Sequence, residues 1–283
     1  MTTKIIVYNQ SKYIYSICEI VYETFKNYIN NIEIVNCSDH DMIYNDTIVY
    51  LTFYKFNDDI VYPKKYIVYN FEQLTTEKKW SEEYINFLRN ALYVIDYSLS
   101  NVIWLNSIDI NSYFLPFETL DTKIYRSLKK YDKDIDVLFI GSLNDRRKKW
   151  LNRLIYLNSQ LTIKIITNKF NKDSYDFYTR SKILLNIHYY EQNRISEISR
   201  IIHALENNCI VLTENSDDFY YNQLLNSIVT ITNYDTLNDD VIDILSDYND
   251  IQKNKNDLYT NMLKYKNIDY INSIVELFKI IIG

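Results

Sequence analysis

Three stretches of the chain gather side chains that could hold an anion or move a proton. The first, SKILLNIHYYEQNRISEISRIIHALENNCIVLTEN at 181 to 215, reads as strand, loop, helix, strand. Its helix carries Ile198, Ile201, Ile202 and Leu205 at i, i+3, i+4 and i+7, which makes one buried stripe, with Ser196 as the expected N-cap. At about 100° per residue Arg200 and His203 fall together off that stripe, with Glu197 one turn before Arg200. A cation, an imidazole and a carboxylate near a helix start suit an anionic ligand, because free backbone N–H groups and the helix dipole point the same way. Before the helix, period-two alternation sends Lys182, Asn186 and His188 to one strand face, and Glu191 and Arg194 follow in the loop. A lysine in an apolar strand either sits at the strand mouth or is neutralised by an anion. His188 reads as an acid–base group or as a satisfied structural histidine.

The second stretch, GSLNDRRKK at 141 to 149, leaves an apolar strand and opens a helix. Gly141 permits a tight exit, Asn144 or Asp145 can cap, and Arg146 and Arg147 are the cations placed to meet a diphosphate. The third is in the N-terminal half. YNFEQL puts Glu72 just after a buried strand, and IDYSLSN does the same for Tyr97, Ser98 and Asn101. Glu72 there could take the proton of an attacking hydroxyl.

Strands and helices alternating along the chain must position these groups. KIIVYN, IEIVN, TIVYLTFY, KYIVYNF and YVIDYS read as strands, with a helix from about Lys12 to Tyr28 and another in WSEEYINFLRNALY. NVIWL and YFLPF close this half, and Pro116 breaks it. The polar stretch 118 to 133 is the linker candidate. DVLFIG then starts a second α/β unit that runs through LTIKIIT, the 181 to 215 segment and SIVTIT, and the chain ends in the helix INSIVELFKIII. The expectation is an α/β protein of two doubly wound Rossmann-like domains facing a cleft, one at 1–117 and one at 134–267.

Composition narrows the function. The 283 residues are 47% hydrophobic and 24% charged, long enough for two cores and too apolar for disorder. The 29 Tyr, 2 Gly and 2 Pro read as the bias of an A/T-rich genome. With Gly141 and Gly283 the only glycines, no glycine-rich phosphate loop exists, which disfavours kinases, P-loop NTPases and ordinary Rossmann dehydrogenases. A net charge of −6 without a basic tail argues against nucleic acid as a partner. Cys18, Cys37 and Cys209 lack metal or disulfide spacing and read as buried thiols of a reducing compartment. No stretch reaches the roughly 18 to 20 apolar residues of a spanning helix, and the N-terminus lacks a signal-peptide core, so a soluble, cytoplasmic protein is expected. DKDID at 132 to 136 precedes its strand and supports no metal site.

The 181 to 215 segment, preceded by DIDVLFIGSLNDRRKKWLNRL at 134 to 154, resembles the donor-binding half of GT-B glycosyltransferases of the "glycosyl transferases group 1" type. Their helix has the form R-x-x-E-A-x-x-x-G before a buried strand. Arg200 matches the Arg, Ala204 the Ala, and Val211-Leu212 the strand, while His203 replaces the Glu that holds the donor ribose and Asn208 replaces the Gly. Glu191 resembles the first Glu of the family's paired-glutamate motif, but Ser199 breaks the E-x7-E spacing. The resemblance covers about 113 to 233 well and the first hundred residues only by pattern. It implies a last helix, 268–283, that crosses back to the first domain, and a metal-independent glycosyltransferase with no cofactor beyond a nucleotide-diphosphate sugar and an acceptor hydroxyl of unknown identity. Glu72 and His188 are then the catalytic candidates. Gly141, Arg146, Arg147, Lys182, Asn186, Glu191, Arg194, Glu197, Arg200 and His203 are the donor-binding candidates. The alternatives are an inactive nucleotide-sugar or glycan binder of the same fold, or a glucosyltransferase acting on modified DNA bases.

Overall fold

In a computed structural model of the chain, every strand pairing among the described residues is parallel. The structure describes residues 3–11, 13–36, 47–56, 63–74, 80–127, 131–167, 172–192, 194–264 and 268–282. Cys37 and the first residue of the expected helix, Lys12, lie outside them. The chain divides into two compact units, Met1–Asp121 with Asn267–Gly283, and Thr122–Lys266.

The first unit runs β1 (Lys4–Asn9), α1 (Tyr15–Phe25), β2 (Ile32–Asn36), β3 (Ile48–Thr52), β4 (Tyr66–Asn70), α2 (Glu82–Arg89), β5 (Tyr93–Asp96), α3 (Leu99–Ser107) and β6 (Ser112–Phe114). Its sheet order is β2-β1-β3-β4-β5-β6. The tyrosines that compositional bias supplies do core work here. Tyr66 stacks on Phe87 with centroids 5.2 Å apart and donates its hydroxyl to the Phe87 carbonyl, and Tyr69 donates to the Leu115 carbonyl. A buried phenol without such an acceptor would cost free energy.

The second unit runs β7 (Ile135–Ile140), α4 (Asp145–Leu157), β8 (Ile163–Ile166), α5 (Lys172–Arg180), β9 (Ser181–Asn186), α6 (Ile198–Glu206), β10 (Ile210–Glu214), α7 (Phe219–Leu225), β11 (Thr230–Thr232), α8 (Leu237–Ser246) and α9 (Tyr248–Lys264). The order is β11-β10-β9-β7-β8, so the chain leaves β7 toward β8 and resumes on its other side at β9. The carboxyl ends of β7 and β9 flank the point where the winding reverses, the usual ligand crevice of an open parallel sheet. Ile183, Leu184, Leu185 and Ile187 have no exposed surface, as a strand covered on both faces requires. The last helix, α10 (Ile268–Ile282), packs on the first unit through Phe278 on Phe25 at 4.9 Å and Tyr270 on Phe114 at 5.4 Å.

Part of the polar 118 to 133 stretch is strapped along α6. Thr122 donates to Glu206, Arg126 pairs with Glu206, the Tyr125 hydroxyl meets Ser199 at 3.0 Å, and Asn207 donates to the Tyr125 carbonyl. The helix ends as expected at Asn207-Asn208. Asn208 takes φ 57°, the left-handed conformation that Asn tolerates better than any other residue with a large side chain, so it performs the turn that a Gly would make there.

Candidate functional site

The site is built around Gly141. Its φ is 153°, and a Cβ there would lie 3.0 Å from Arg200 Nη2 and 3.3 Å from Arg147 Nη1. Two guanidiniums therefore lie over a backbone that only glycine leaves bare. Asn144 caps α4 by accepting from the Arg147 amide at 2.9 Å, and its own amide reaches the Tyr189 carbonyl at 2.7 Å, fastening the helix start to the loop after β9.

Arg147 is 2% exposed. Nε donates to the Ile187 carbonyl and Nη1 to the Ser142 carbonyl, each at 2.9 Å, while Nη2 meets Glu197 at 2.5 Å. Every arm of this guanidinium is used within the protein, so Arg147 is a pillar of the site. Arg200, in the first turn of α6, differs. Its Nη1 donates to Asn186 at 2.7 Å and stands 3.3 Å from Glu197, yet the side chain keeps 18% exposure. Asn186 in turn donates to Thr213 at 3.0 Å, which fixes the side chain that holds Arg200.

Burial alone would raise the Glu197 carboxyl, but the guanidiniums of Arg200 and Arg147 outweigh it and hold it below the usual range, so it is ionised. Burial pushes His188 below its ordinary value against the opposing pull of Glu197 and Glu214, so the imidazole is neutral. It is 1% exposed, its Nδ1 lies 3.7 Å from Glu197, and neither ring nitrogen has a hydrogen-bond partner among the described residues. The inner set thus holds three guanidiniums, Arg146, Arg147 and Arg200, against two carboxylates, Glu197 and Glu214. One positive charge remains at the N-termini of α4 and α6, where the helix dipoles add to it.

Several expectations need correction. Arg146 is more heavily engaged within the protein than expected: Glu214 takes it at two points, the His188 carbonyl accepts from it at 2.8 Å, and it lies over the Trp150 ring. Lys182 shares a strand face with Asn186 but stands at the opposite end of β9, paired with Asp136 at 2.7 Å. Four residues of strand separate the two by about 13 Å, so Lys182 is outside the site. Arg194 is spent on Asp217, whose carboxylate accepts from its backbone amide at 2.6 Å and its side chain at 3.3 Å. Ser196 does not cap α6; Glu197 occupies that position and makes no side-chain cap bond. Glu191 is exposed in the loop after β9.

His203 is the largest correction. Its ring is sandwiched between Tyr125 at 4.3 Å and Tyr178 at 4.0 Å, with Tyr175 edge-on at 4.5 Å, and is 6% exposed. It shares the helix with Arg200 without sharing its surroundings. Burial drives its pKa down to about 3 from an ordinary 6.5. Between those values the unfolded chain binds a proton that the folded chain refuses, so stability is full above pH 6.5 and is lost as pH falls through that window. The slope from this one group is up to about 1.4 kcal/mol per pH unit, and His188 adds to it with the same sign. The urea midpoint should therefore drop between pH 7.5 and 5, and His203→Phe, which keeps the stack and loses the proton site, should lose part of that drop. An unchanged pH dependence in the variant would show that His203 is not buried neutral.

In the first unit, Asp96 at the end of β5 was not anticipated. It has no exposed surface and accepts from Asn70 at 2.6 Å, the Ser98 amide at 2.8 Å and Asn101 at 3.2 Å. Asn70 and Asn101 also donate to the Glu72 carbonyl, at 3.0 and 2.9 Å, so this network sets the loop that carries the half-buried Glu72. Ser98 caps α3, and Tyr97 stacks on Phe71 at 5.2 Å; both support the loop from below its surface. Among the described residues, no three of His, Cys, Asp and Glu gather as a metal site, and no helix is long and apolar enough to cross a membrane.

Comparison with known proteins places the fold. No family model matches. An uncharacterised protein of Acanthamoeba polyphaga mimivirus, R358, is 27% identical over 164 residues, a match spanning 57% of this chain and 56% of that protein's length. Among solved structures, phage T4 beta-glucosyltransferase with UDP and Mn2+ is similar at a TM-score of 0.60 and 14% identity, covering 99% of this chain and 100% of that one. HepE of Anabaena with UDP and glucose is similar at a TM-score of 0.60 and 10% identity, covering 98% and 99%. TarM is similar at 0.53 and 10%, covering 85% of this chain and 56% of its own. The chain has the GT-B fold of these structures.

Proposed function

We propose that this chain is a glycosyltransferase that binds a nucleotide-diphosphate sugar in its Thr122–Lys266 unit and transfers the glycosyl group to an acceptor hydroxyl. The observation that carries the reading is the partly exposed Arg200 guanidinium over Gly141, with one positive charge left over where β7 and β9 end. A diphosphate needs that charge in the ground state, and needs it more as it departs with the electrons of the broken glycosidic bond. Arg147, Asn186 and Glu197 hold Arg200 in place. Glu72, on its braced loop in the other unit, is the group proposed to take the acceptor's proton. Two of the structural relatives, phage T4 beta-glucosyltransferase and HepE, were solved with UDP, UDP-glucose or glucose, which supports UDP-sugars as the first donors to try.

Metal-independent chemistry and an intracellular location are parts of this proposal; one relative was solved with Mn2+. A second reading, a binder without turnover, is favoured by His203, whose enclosed ring replaces the glutamate of the resembling motif. A DNA acceptor also remains open, because one relative is a DNA-modifying beta-glucosyltransferase and a charge of −6 does not decide against it. Incubation with a panel of nucleotide sugars distinguishes enzyme from binder. A transferase is expected to release free sugar and nucleoside diphosphate slowly even without acceptor, whereas binding with no turnover across a panel of glycan, protein and DNA acceptors would leave the binder.

A further inference from the structure

Given Glu72 as the group that takes the acceptor's proton, the reading on which this rests, we propose that the Tyr54 ring is the platform for the acceptor, and that the acceptor is a neutral saccharide and not a DNA duplex. Tyr54 is 47% exposed, yet it is held in place. Its carbonyl accepts from Thr52 Oγ1 at 2.9 Å, and Thr52 has no exposed surface. Its ring leans on Tyr84 with centroids 6.3 Å apart, and Trp80 backs Tyr84 at 4.7 Å. An exposed aromatic face fixed by its neighbours gives up little conformational freedom when a ligand covers it.

The platform stands beside Glu72. β3 and β4 are parallel neighbours with Thr52 opposite Val68, so Tyr54 and Glu72, each two residues past its strand, emerge at the same edge of the sheet. Tyr84 joins the two. It donates its hydroxyl to Asn70 Oδ1 at 2.8 Å, and the same oxygen accepts from the Glu72 amide at 3.2 Å. The Glu72 charge also reaches the ring: after burial it is the next cause that holds the Tyr54 phenol above its ordinary pKa, against the opposing pull of Lys55. A ring lying on Tyr54 therefore has its edge near Glu72.

The chemistry of this edge selects the acceptor. An uncharged aromatic face suits the C–H face of a sugar, which meets the negative face of the phenol ring and leaves the hydroxyl edge free for a base. It offers nothing to a polyanion. Among the described residues of the loops that leave β1, β3, β4, β5 and β6, Lys55 is the one cation, and Glu83 takes it at 3.0 Å. Duplex DNA carries a negative charge about every 1.7 Å and is held through lysine and arginine contacts, and here its phosphates would meet the Glu72 carboxylate instead.

Calorimetric titration of the whole chain tests this on the wild type, Tyr54→Phe, which keeps the ring, and Tyr54→Leu, which keeps bulk against Tyr84 and loses the aromatic face. The ligands are a panel of neutral mono-, di- and trisaccharides, a DNA duplex with hydroxylated bases and, in parallel, UDP. At least one saccharide should bind the wild type, bind Tyr54→Phe within about threefold of it, and bind Tyr54→Leu about tenfold more weakly, the loss of one stacked ring. UDP, proposed to bind the other unit, should bind all three proteins alike, which also certifies folding. If saccharide binding depends on Tyr54 in this way but UDP does not bind, the platform stands and the transferase reading falls. A wild type that binds no saccharide of the panel, a Tyr54→Leu protein that binds as tightly as the wild type, or DNA that binds more tightly than every saccharide would overturn the proposal.

Discussion

Arg147→Ala is expected to destabilise the Thr122–Lys266 unit by about 3 to 5 kcal/mol, the usual cost of breaking a buried ion pair from one side. The substitution leaves the ionised Glu197 without its closest partner and strips hydrogen bonds from the Ile187 and Ser142 carbonyls. It also removes a guanidinium packed over Phe139 and Tyr189. Since the residue is 2% exposed, solvent cannot enter to compensate without opening the site. Adding Glu197→Gln should recover part of the loss, because the double variant no longer buries an unpaired charge. Urea denaturation of the single and double variants measures both. A cost below about 1 kcal/mol for Arg147→Ala would mean that the arginine is not the pillar described here.

Arg200→Ala is expected to act on binding and to spare the fold. Its contacts keep other partners without it, Asn186 through Thr213 and Glu197 through Arg147, and it lies off the stripe of Ile198, Ile201, Ile202 and Leu205 that anchors α6. A charge-assisted hydrogen bond to phosphate is worth about 1.5 to 3 kcal/mol, so affinity for UDP and UDP-sugars should fall roughly tenfold to over a hundredfold. Affinity for uridine, which has no phosphate, should hardly change. Gly141→Ala should do the same more weakly, by pressing a Cβ against Arg200 Nη2 at 3.0 Å. An Arg200→Ala protein that unfolds at the wild-type midpoint and binds UDP with wild-type affinity would mean the anion site is elsewhere.

The strand, loop and helix around residue 200 were legible because the apolar run of β9 and the i, i+3, i+4, i+7 stripe of α6 are local patterns. Gly141 was legible for a similar reason: in a chain with 2 glycines, one at a strand exit marks a backbone constraint. How the cations are paired was not legible. Arg146 and Arg147 are neighbours, and their fates are set by Glu214 and Glu197, 68 and 50 residues away. His203 lies near Arg200 on a helical wheel, but the tyrosines that enclose it come from 125, 175 and 178, beyond the reach of helix periodicity. Lys182 shows a different limit. Period two gives the face of a strand, while the end of the strand decides whether a side chain reaches the crevice.

The most direct measurement of the central claim is a calorimetric titration of the wild-type chain with uridine, UDP and UDP-glucose at moderate salt. The account expects UDP and UDP-glucose to bind well below millimolar concentration, uridine to bind at least about tenfold more weakly, and the difference to shrink as salt screens the partly exposed Arg200. No binding by either nucleotide at millimolar concentration, or equal affinities for uridine and UDP, would contradict a diphosphate site at Gly141 and Arg200.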